Sequence, residues 1–424
     1  MKNSDKLAIE GGKPAKKTPL PPMFPGGMAM DNKEEKAVVE VVRNKRLFRY
    51  YGAYPGESKV ELFEKQFASR VGSQYARAVS SGTAALICAY VGAGIGPGDE
   101  VIVPAFTWIS TASAAVMLGA IPVIAEVDKS LTLDPDDIVR KITPRTKAII
   151  PVHMCGAPAN MKKIMNIATK YHLIVIEDVA QAMGGTFQGK NLGTFGDLGI
   201  FSLQFNKIIT TGEGGIIVTN GRQKWLRASA YHDPVSISMG RNIDPTEAQL
   251  FPGQNYRANE FIGALGLVQL KRLNKLIEKM RNNKRLIMSK LINLKDIEFR
   301  VSNDDEGNIA TSIIMFLPSA SSAEWFSNAL TAENVKARVL FPRSKVDYHV
   351  YYYWSQILGK HGMTGKNYPW SKTYYKGNVK YGENMCPKSL DLLGRAVLID
   401  VSPQLTKVEI NEIVAAIIKV ASRL

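Results

Sequence analysis

Long apolar runs are missing from this chain. Its most hydrophobic stretches, 147–152 and 309–317, fall far short of the roughly 18 residues that a spanning helix needs. The lysine-bearing start, MKNSDKLAIEGGKPAKK, is not followed by the apolar segment of a secretory signal, so a cytoplasmic protein is expected. Cysteine is scarce: Cys88, Cys155 and Cys386 lie far apart without metal-ligand spacing, which argues against a disulfide framework or a metal centre and for reduced thiols. Acid is short relative to base, giving a formal net charge of +16. The lysines are scattered and no helix-turn-helix, zinc or RNA-binding signature accompanies them, so nucleic acid is not the expected partner. A basic surface of this kind suits an anionic substrate steered into a cleft.

What the chain does have is length and a regular alternation. With 424 residues, 45% of them hydrophobic, it can bury a large core and support a second lobe. Between about 77 and 220, short apolar runs alternate with helical patterns: VIVP (101–104), PVIAEV (122–127), KAIIPVH (147–153), LIVIED (173–178) and GGIIVT (214–219). This alternation predicts an α/β domain with a mainly parallel sheet, whose ligands sit beyond the carboxyl ends of the strands. A long helical pattern at 260–291 leads to strand-like 297–301 and 311–318, an amphipathic 323–335 and a last helix from about 406. We therefore expect residues 1–275 to form an N-terminal arm and large domain, and 276–424 a smaller α+β domain. The segment 342–385, rich in Tyr, Trp, His and Lys and poor in periodicity, reads as an excursion over a surface or cleft.

The residues just after the apolar runs carry the chemistry. Lys207 follows FSLQFN and precedes a glycine-rich turn, GEGG (212–215), which puts its amine at the sheet edge. Asp178 ends LIVIED, where a buried carboxylate needs a cationic partner. Trp108, in PAFTWIST, offers an aromatic face, and Gln181 lies three residues beyond Asp178. SSGTAAL (80–86) brings a close-approach glycine, Gly82, and the start of a helix suited to an anion, with Ser202 as a further hydroxyl. A lysine for an aldehyde, an acid for a ring nitrogen, a stacking face and an anion cradle together suit pyridoxal phosphate. Each element has a bland reading of its own: a solvated lysine, a strand-capping glutamine, a core aromatic or an ordinary βα turn. Their order along one sheet edge favours the site.

With SSGTAAL, GDEVIVPAFTWIST, PVHMCG, IEDVAQAMGG, GDLGIFS, GEGG and GQNYRANEFIGALG in order from about residue 32 onward, the sequence resembles the DegT/StrS family of sugar aminotransferases. The resemblance implies a fold type I pyridoxal-phosphate transferase with a seven-stranded large-domain sheet. It implies Lys207 as the cofactor lysine and proton shuttle, Asp178 at the pyridine nitrogen, Gln181 near the 3-oxygen, Trp108 on the ring face, and Gly82, Thr83 and Ser202 around the phosphate. GQNYR further implies a homodimer in which Asn255 reaches the neighbouring subunit's phosphate, with Arg257 as a substrate contact or a structural ion-pair partner. The implied reaction takes an amino group from glutamate or glutamine to a keto or aldehydo sugar. PVHMCG, LFRYYG and CPKSLDLLGRAVLIDVSP look most like the branch acting on 8-oxo octulosonate sugars, followed by the inosose aminotransferases. The family's dehydratases carry His at the lysine position, and Lys207 argues against that reading. A regulatory protein on this fold would be expected to have lost the lysine or acid. A desulfurase needs a cysteine on a mobile loop, and Cys155 lies in a strand-end motif.

Overall fold

A computed structural model describes residues 6–50, 58–235, 247, 249–291, 294–364 and 367–424. The apolar runs form strands β1 (Tyr75–Val79), β2 (Glu100–Pro104), β3 (Ile121–Ala125), β4 (Thr146–Ile149), β5 (Ile174–Asp178), β6 (Leu198–Ser202) and β7 (Gly215–Thr219). They make one seven-stranded sheet in the order β1-β7-β6-β5-β4-β2-β3. From β6 to β3 every neighbour is parallel, and β7 runs antiparallel to both β1 and β6. Strands buried on both faces need apolar side chains at successive positions, which is why β2 and β7 read as continuous runs rather than alternations. The GEGG turn brings β7 back at the strand ends. A Cβ on Gly215 would lie 2.2 Å from the Ser81 carbonyl oxygen, so only glycine lets β7 start against the turn that follows β1.

Helix α1 (Lys59–Val71) and helix α2 (Gly82–Gly92) flank this sheet, and the long α3 (Glu260–Met288) crosses α1 and continues into the second lobe. There β8 (Glu298–Phe299), β9 (Ser312–Phe316), β10 (Ala337–Val339) and β11 (Ala396–Asp400) form an antiparallel sheet in the order β8-β9-β11-β10. Helices α4 (Ala320–Ala332) and α5 (Lys407–Ala421) cover it with Phe326, Leu330, Ile413 and Ile417. Among the described residues no helix is long and apolar enough to cross a membrane.

Two expectations change on contact with the structure. Residues 1–275 were assigned to the arm and large domain, yet the start of the arm belongs to the small lobe. Leu7 is fully buried in that lobe's core, and the Ala8 and Ala15 amides donate to the Glu333 carboxylate at 2.8 and 2.6 Å. The segment 342–385 is more than a surface excursion. Tyr351, Trp354, Trp370 and Tyr375 are buried in the large domain's core. Their polar tips are all hydrogen-bonded, as where Trp354 Nε1 donates to the Tyr348 carbonyl at 2.9 Å and the Tyr375 hydroxyl to the Glu100 carboxylate, so aromatic residues without helix or strand periodicity still form core. The start of this segment adds an antiparallel edge to residues 105–109. The Thr107 amide donates to the His349 carbonyl (2.8 Å) and the Tyr351 amide to the Ala105 carbonyl (3.0 Å).

Candidate active site

The carboxyl ends of β1, β2, β5 and β6 surround a cavity of about 270 Å³. Gly82, Thr83, Trp108, Asp178, Gln181, Ser202 and Lys207 all line it, so one sheet edge gathers every expected site residue except Asn255.

Asp178, 4% exposed, is the last residue of β5. Its Oδ1 accepts from the Ala180 amide (3.1 Å) and its Oδ2 from Thr111 Oγ1 (2.9 Å), which in turn is bonded to Thr107 Oγ1 (2.8 Å). Burial pushes its carboxyl above the ordinary range, and these two donors with the nearby Lys207 charge pull it back. Lys207 experiences the mirror image. Burial pushes its amine below the usual lysine value, against the opposing pull of Asp178. A lowered amine pKa raises the neutral fraction, the form that attacks an aldehyde. Uptake of pyridoxal phosphate by the cofactor-free protein is therefore expected to accelerate with pH along a curve whose inflection lies below the ~10.4 of a free lysine. Stopped-flow absorbance across a pH series checks this.

The anion end of the cavity is built by the turn into α2. Ser81 caps this helix, its hydroxyl accepting from the Ala84 amide at 3.1 Å. Gly82 and Thr83, first-turn residues whose amides have no intrahelical acceptor, line the cavity beside Ser202. The turn lies so close to Ser202 that a Cβ at Gly82 would sit 3.0 Å from the serine Cβ. Thr83 Oγ1 is bonded to Ser110 Oγ at 2.9 Å. Trp108 stays 48% exposed at the cavity, which leaves a large aromatic face open to a ring. Gln181 Oε1 accepts from the Cys155 amide at 3.1 Å, and this leaves the glutamine's NH₂ as its donor. A buried acid, an unshielded indole and a helix start with a glycine approach answer the ring nitrogen, ring face and phosphate of pyridoxal phosphate in turn, so the residues fit that group.

Asn255 is exposed and lies outside the cavity. Its segment is pinned beside the end of β1: the Ser80 amide donates to the Tyr256 carbonyl (2.9 Å), and the Gln254 amide to the Tyr231 carbonyl (2.7 Å). Of the two readings of Arg257, the ion pair is present, with Nη1 3.0 Å from Asp233 Oδ1. In the LFRYYG loop, Tyr51 and Gly52 lie outside the described residues.

Sequence reasoning missed His349, which faces Trp108 with the ring centroids 5.0 Å apart and has its Nδ1 2.7 Å from Asp347 Oδ1. His349, Gln181, Asn206 and Lys207 also border a second cavity of about 220 Å³ that reaches the small lobe at Ser312, Arg338 and Asp400. Arg338 is paired to Asp400 through two contacts of 2.8 and 3.3 Å, and Ser312 Oγ is buried without a hydrogen-bond partner among the described residues. The only sequence signal for His349 was its place in the aromatic segment over the cleft, and none singled out Arg338 or Ser312.

The sequence profile of the DegT/DnrJ/EryC1/StrS aminotransferase family matches residues 29–361. An L-glutamine:2-deoxy-scyllo-inosose aminotransferase of Streptomyces kanamyceticus is 34% identical over 350 residues, 78% of this chain and 79% of that protein. A GDP-perosamine synthase of Caulobacter vibrioides is 45% identical over 215 residues, half of this chain and 56% of that protein, so the match spans little more than half of that relative's length. Among solved structures, a 3-amino-5-hydroxybenzoic acid synthase superposes with a TM-score of 0.77 at 27% identity, covering 96% of this chain and 100% of that one. The chain belongs to the DegT/DnrJ/EryC1/StrS aminotransferase family, whose transaminases depend on pyridoxal phosphate.

Proposed function

We propose that this protein is an aminotransferase that carries an amino group from glutamate or glutamine to the keto or aldehyde carbon of a sugar or cyclitol, acting as a homodimer. The observation that carries the reading is that Lys207, its amine pKa lowered by burial, shares one cavity with the buried Asp178. Bound pyridoxal phosphate supplies the electron-withdrawing ring that makes an α-proton acidic. Lys207 Nζ would hold the cofactor's aldehyde and would carry the proton at the donor's α-carbon. Asp178, fixed by Thr111 and the Ala180 amide, would keep the ring nitrogen protonated, and that positive charge would answer the cost of burying its own carboxylate. Gln181 would offer its NH₂ to the ring oxygen, Trp108 a face to the ring, and Gly82, Thr83 and Ser202 donors to the phosphate. The outward Asn255 completes the phosphate site of a second subunit. The lobes divide within α3 near residue 275, with the cavity at Arg338 opening between them.

Arg338, a fixed cation lining the cavity beside Lys207, takes the donor's carboxylate in exchange for Asp400. Arg338→Ala is expected to raise the KM for the amino donor by roughly tenfold or more while changing kcat little, as steady-state kinetics with the donor varied will report. Retention of Lys207 favours transamination over dehydration.

The acceptor is tested with a nucleotide-linked keto sugar, a keto cyclitol and an 8-oxo octulosonate, each offered with ¹⁵N-glutamate or ¹⁵N-glutamine and followed by mass spectrometry. Exchange of one carbonyl oxygen for labelled nitrogen is expected with at least one pair. Loss of water without label would point to the dehydratase reaction instead.

A further inference from the structure

A separate concavity of about 300 Å³ opens between the C-terminal half of α3, β8, β9 and residues 301–310. Arg281, Lys284, Arg285 and Met288 line it from one face of α3, their spacings of three, four and seven residues from Arg281 matching the helical repeat. Arg300 and Ser302 line it from the opposite wall. Two carboxylates, Asp305 and Glu306, also border it, but both are exposed, where water and salt screen them.

Among the described residues, the cations lining this concavity have no ion-pair partner. Arg300 donates to neutral carbonyls, those of Ser130 (2.6 Å) and Met154 (2.8 Å), and Arg281 to that of Asn308 (2.8 Å). Lys284 has no hydrogen bond or ion pair among the described residues, and Ser302 Oγ is buried without a partner. Burial, followed by the neighbouring Arg300 charge, pushes the Lys284 amine down to about 8, with Asp305 pulling the other way. An unpaired ammonium beside a guanidinium is costly in a sheltered site. One anion would partner Lys284 and Ser302 and offset Arg300 together. Met288 and Phe299 add an apolar wall, which a bare inorganic ion would leave unused.

We infer that this concavity binds a small organic anion, its phosphate or carboxylate head on Lys284 and Ser302 and its apolar body against Met288 and Phe299. The site is distinct from the Lys207 cavity, and its occupancy does not depend on which sugar the enzyme aminates. Arg300 also joins it physically to the active site. Through the Met154 carbonyl it holds the turn whose next residue, Cys155, donates its amide to Gln181.

The test is calorimetric titration of the full-length protein, kept in saturating pyridoxal phosphate so that the Gly82 cradle is filled, with phenyl phosphate and separately with benzoate. At least one probe is expected to bind, and the tighter of the two identifies the head group. Lys284→Met is expected to weaken binding roughly tenfold or more, and Ser302→Ala to weaken it by a smaller factor. Both variants should retain the visible band of the bound cofactor, and Arg338→Ala should leave probe binding unchanged. The inference is overturned if neither probe binds the wild-type protein, if Lys284→Met and Ser302→Ala both bind as tightly as wild type, or if Arg338→Ala abolishes binding, which would place the probe in the active-site cleft.

Discussion

Lys207→Ala is expected to lower turnover by at least about a thousandfold, because in the proposed mechanism one amine serves as both the covalent holder of the cofactor and the carrier of the substrate proton. The variant should still fold. Lys207 is only half-buried and follows β6 in a turn whose contacts are made by the backbone, its amide donating to the Gln204 carbonyl at 3.0 Å and its own carbonyl accepting from Gly26 at 3.3 Å. The variant loses both the desolvation cost of the ammonium and its attraction to the Asp178 carboxylate, two opposing effects, so thermal stability should change little. Single-turnover kinetics with the amino donor, beside a melting curve, separate this loss of chemistry from a loss of structure.

Asp178→Asn is expected to cost roughly 10²–10³ in kcat, the range for deleting one preorganised electrostatic group. Asparagine is nearly isosteric: its carbonyl oxygen can keep the bond from the Ala180 amide, while its NH₂ takes the place of the oxygen that accepts from Thr111, whose hydroxyl can turn to accept instead, so the pocket's shape survives. What disappears is the negative charge that, in the proposed mechanism, would keep the ring nitrogen protonated. Asp178→Glu should retain the charge but misplace it and fall between the two. A conserved kcat in Asp178→Asn, measured with the cofactor saturating, would contradict the assignment of Asp178 to the ring nitrogen.

The large domain was readable because its central strands are buried on both faces and therefore appear as unbroken apolar runs. The site residues inherit that legibility: Asp178, Ser202 and Lys207 sit at or just past strand ends, and Gly82 opens the helix after β1. Other features depend on contacts that no local pattern encodes. His349 joins Trp108 only because residues 347–351 add an edge to residues 105–109, more than two hundred positions earlier. Arg338 and Ser312 come from another sheet altogether. The docking of the arm is hidden for a related reason: the Lys16 side chain is fully buried with its Nζ 3.3 Å from Glu409 Oε1 on α5. A lysine held by two distant carboxylates, Glu409 and Glu412, has no sequence signature. Tyr351, Trp354, Trp370 and Tyr375 gave no period because they enter the large domain's core from short turns, their polar tips bonded variously to carbonyls of the segment, to Tyr381 and to Glu100.

The most direct measurement is the visible absorbance spectrum of the purified protein with pyridoxal phosphate, before and after glutamate and then glutamine, repeated on Lys207→Ala. The account predicts a visible band from the lysine-linked cofactor in the wild-type protein, its loss on addition of one of the two donors, and no such band in the variant. A wild-type protein that stays colourless with added cofactor, or a variant with an unchanged band, would contradict it.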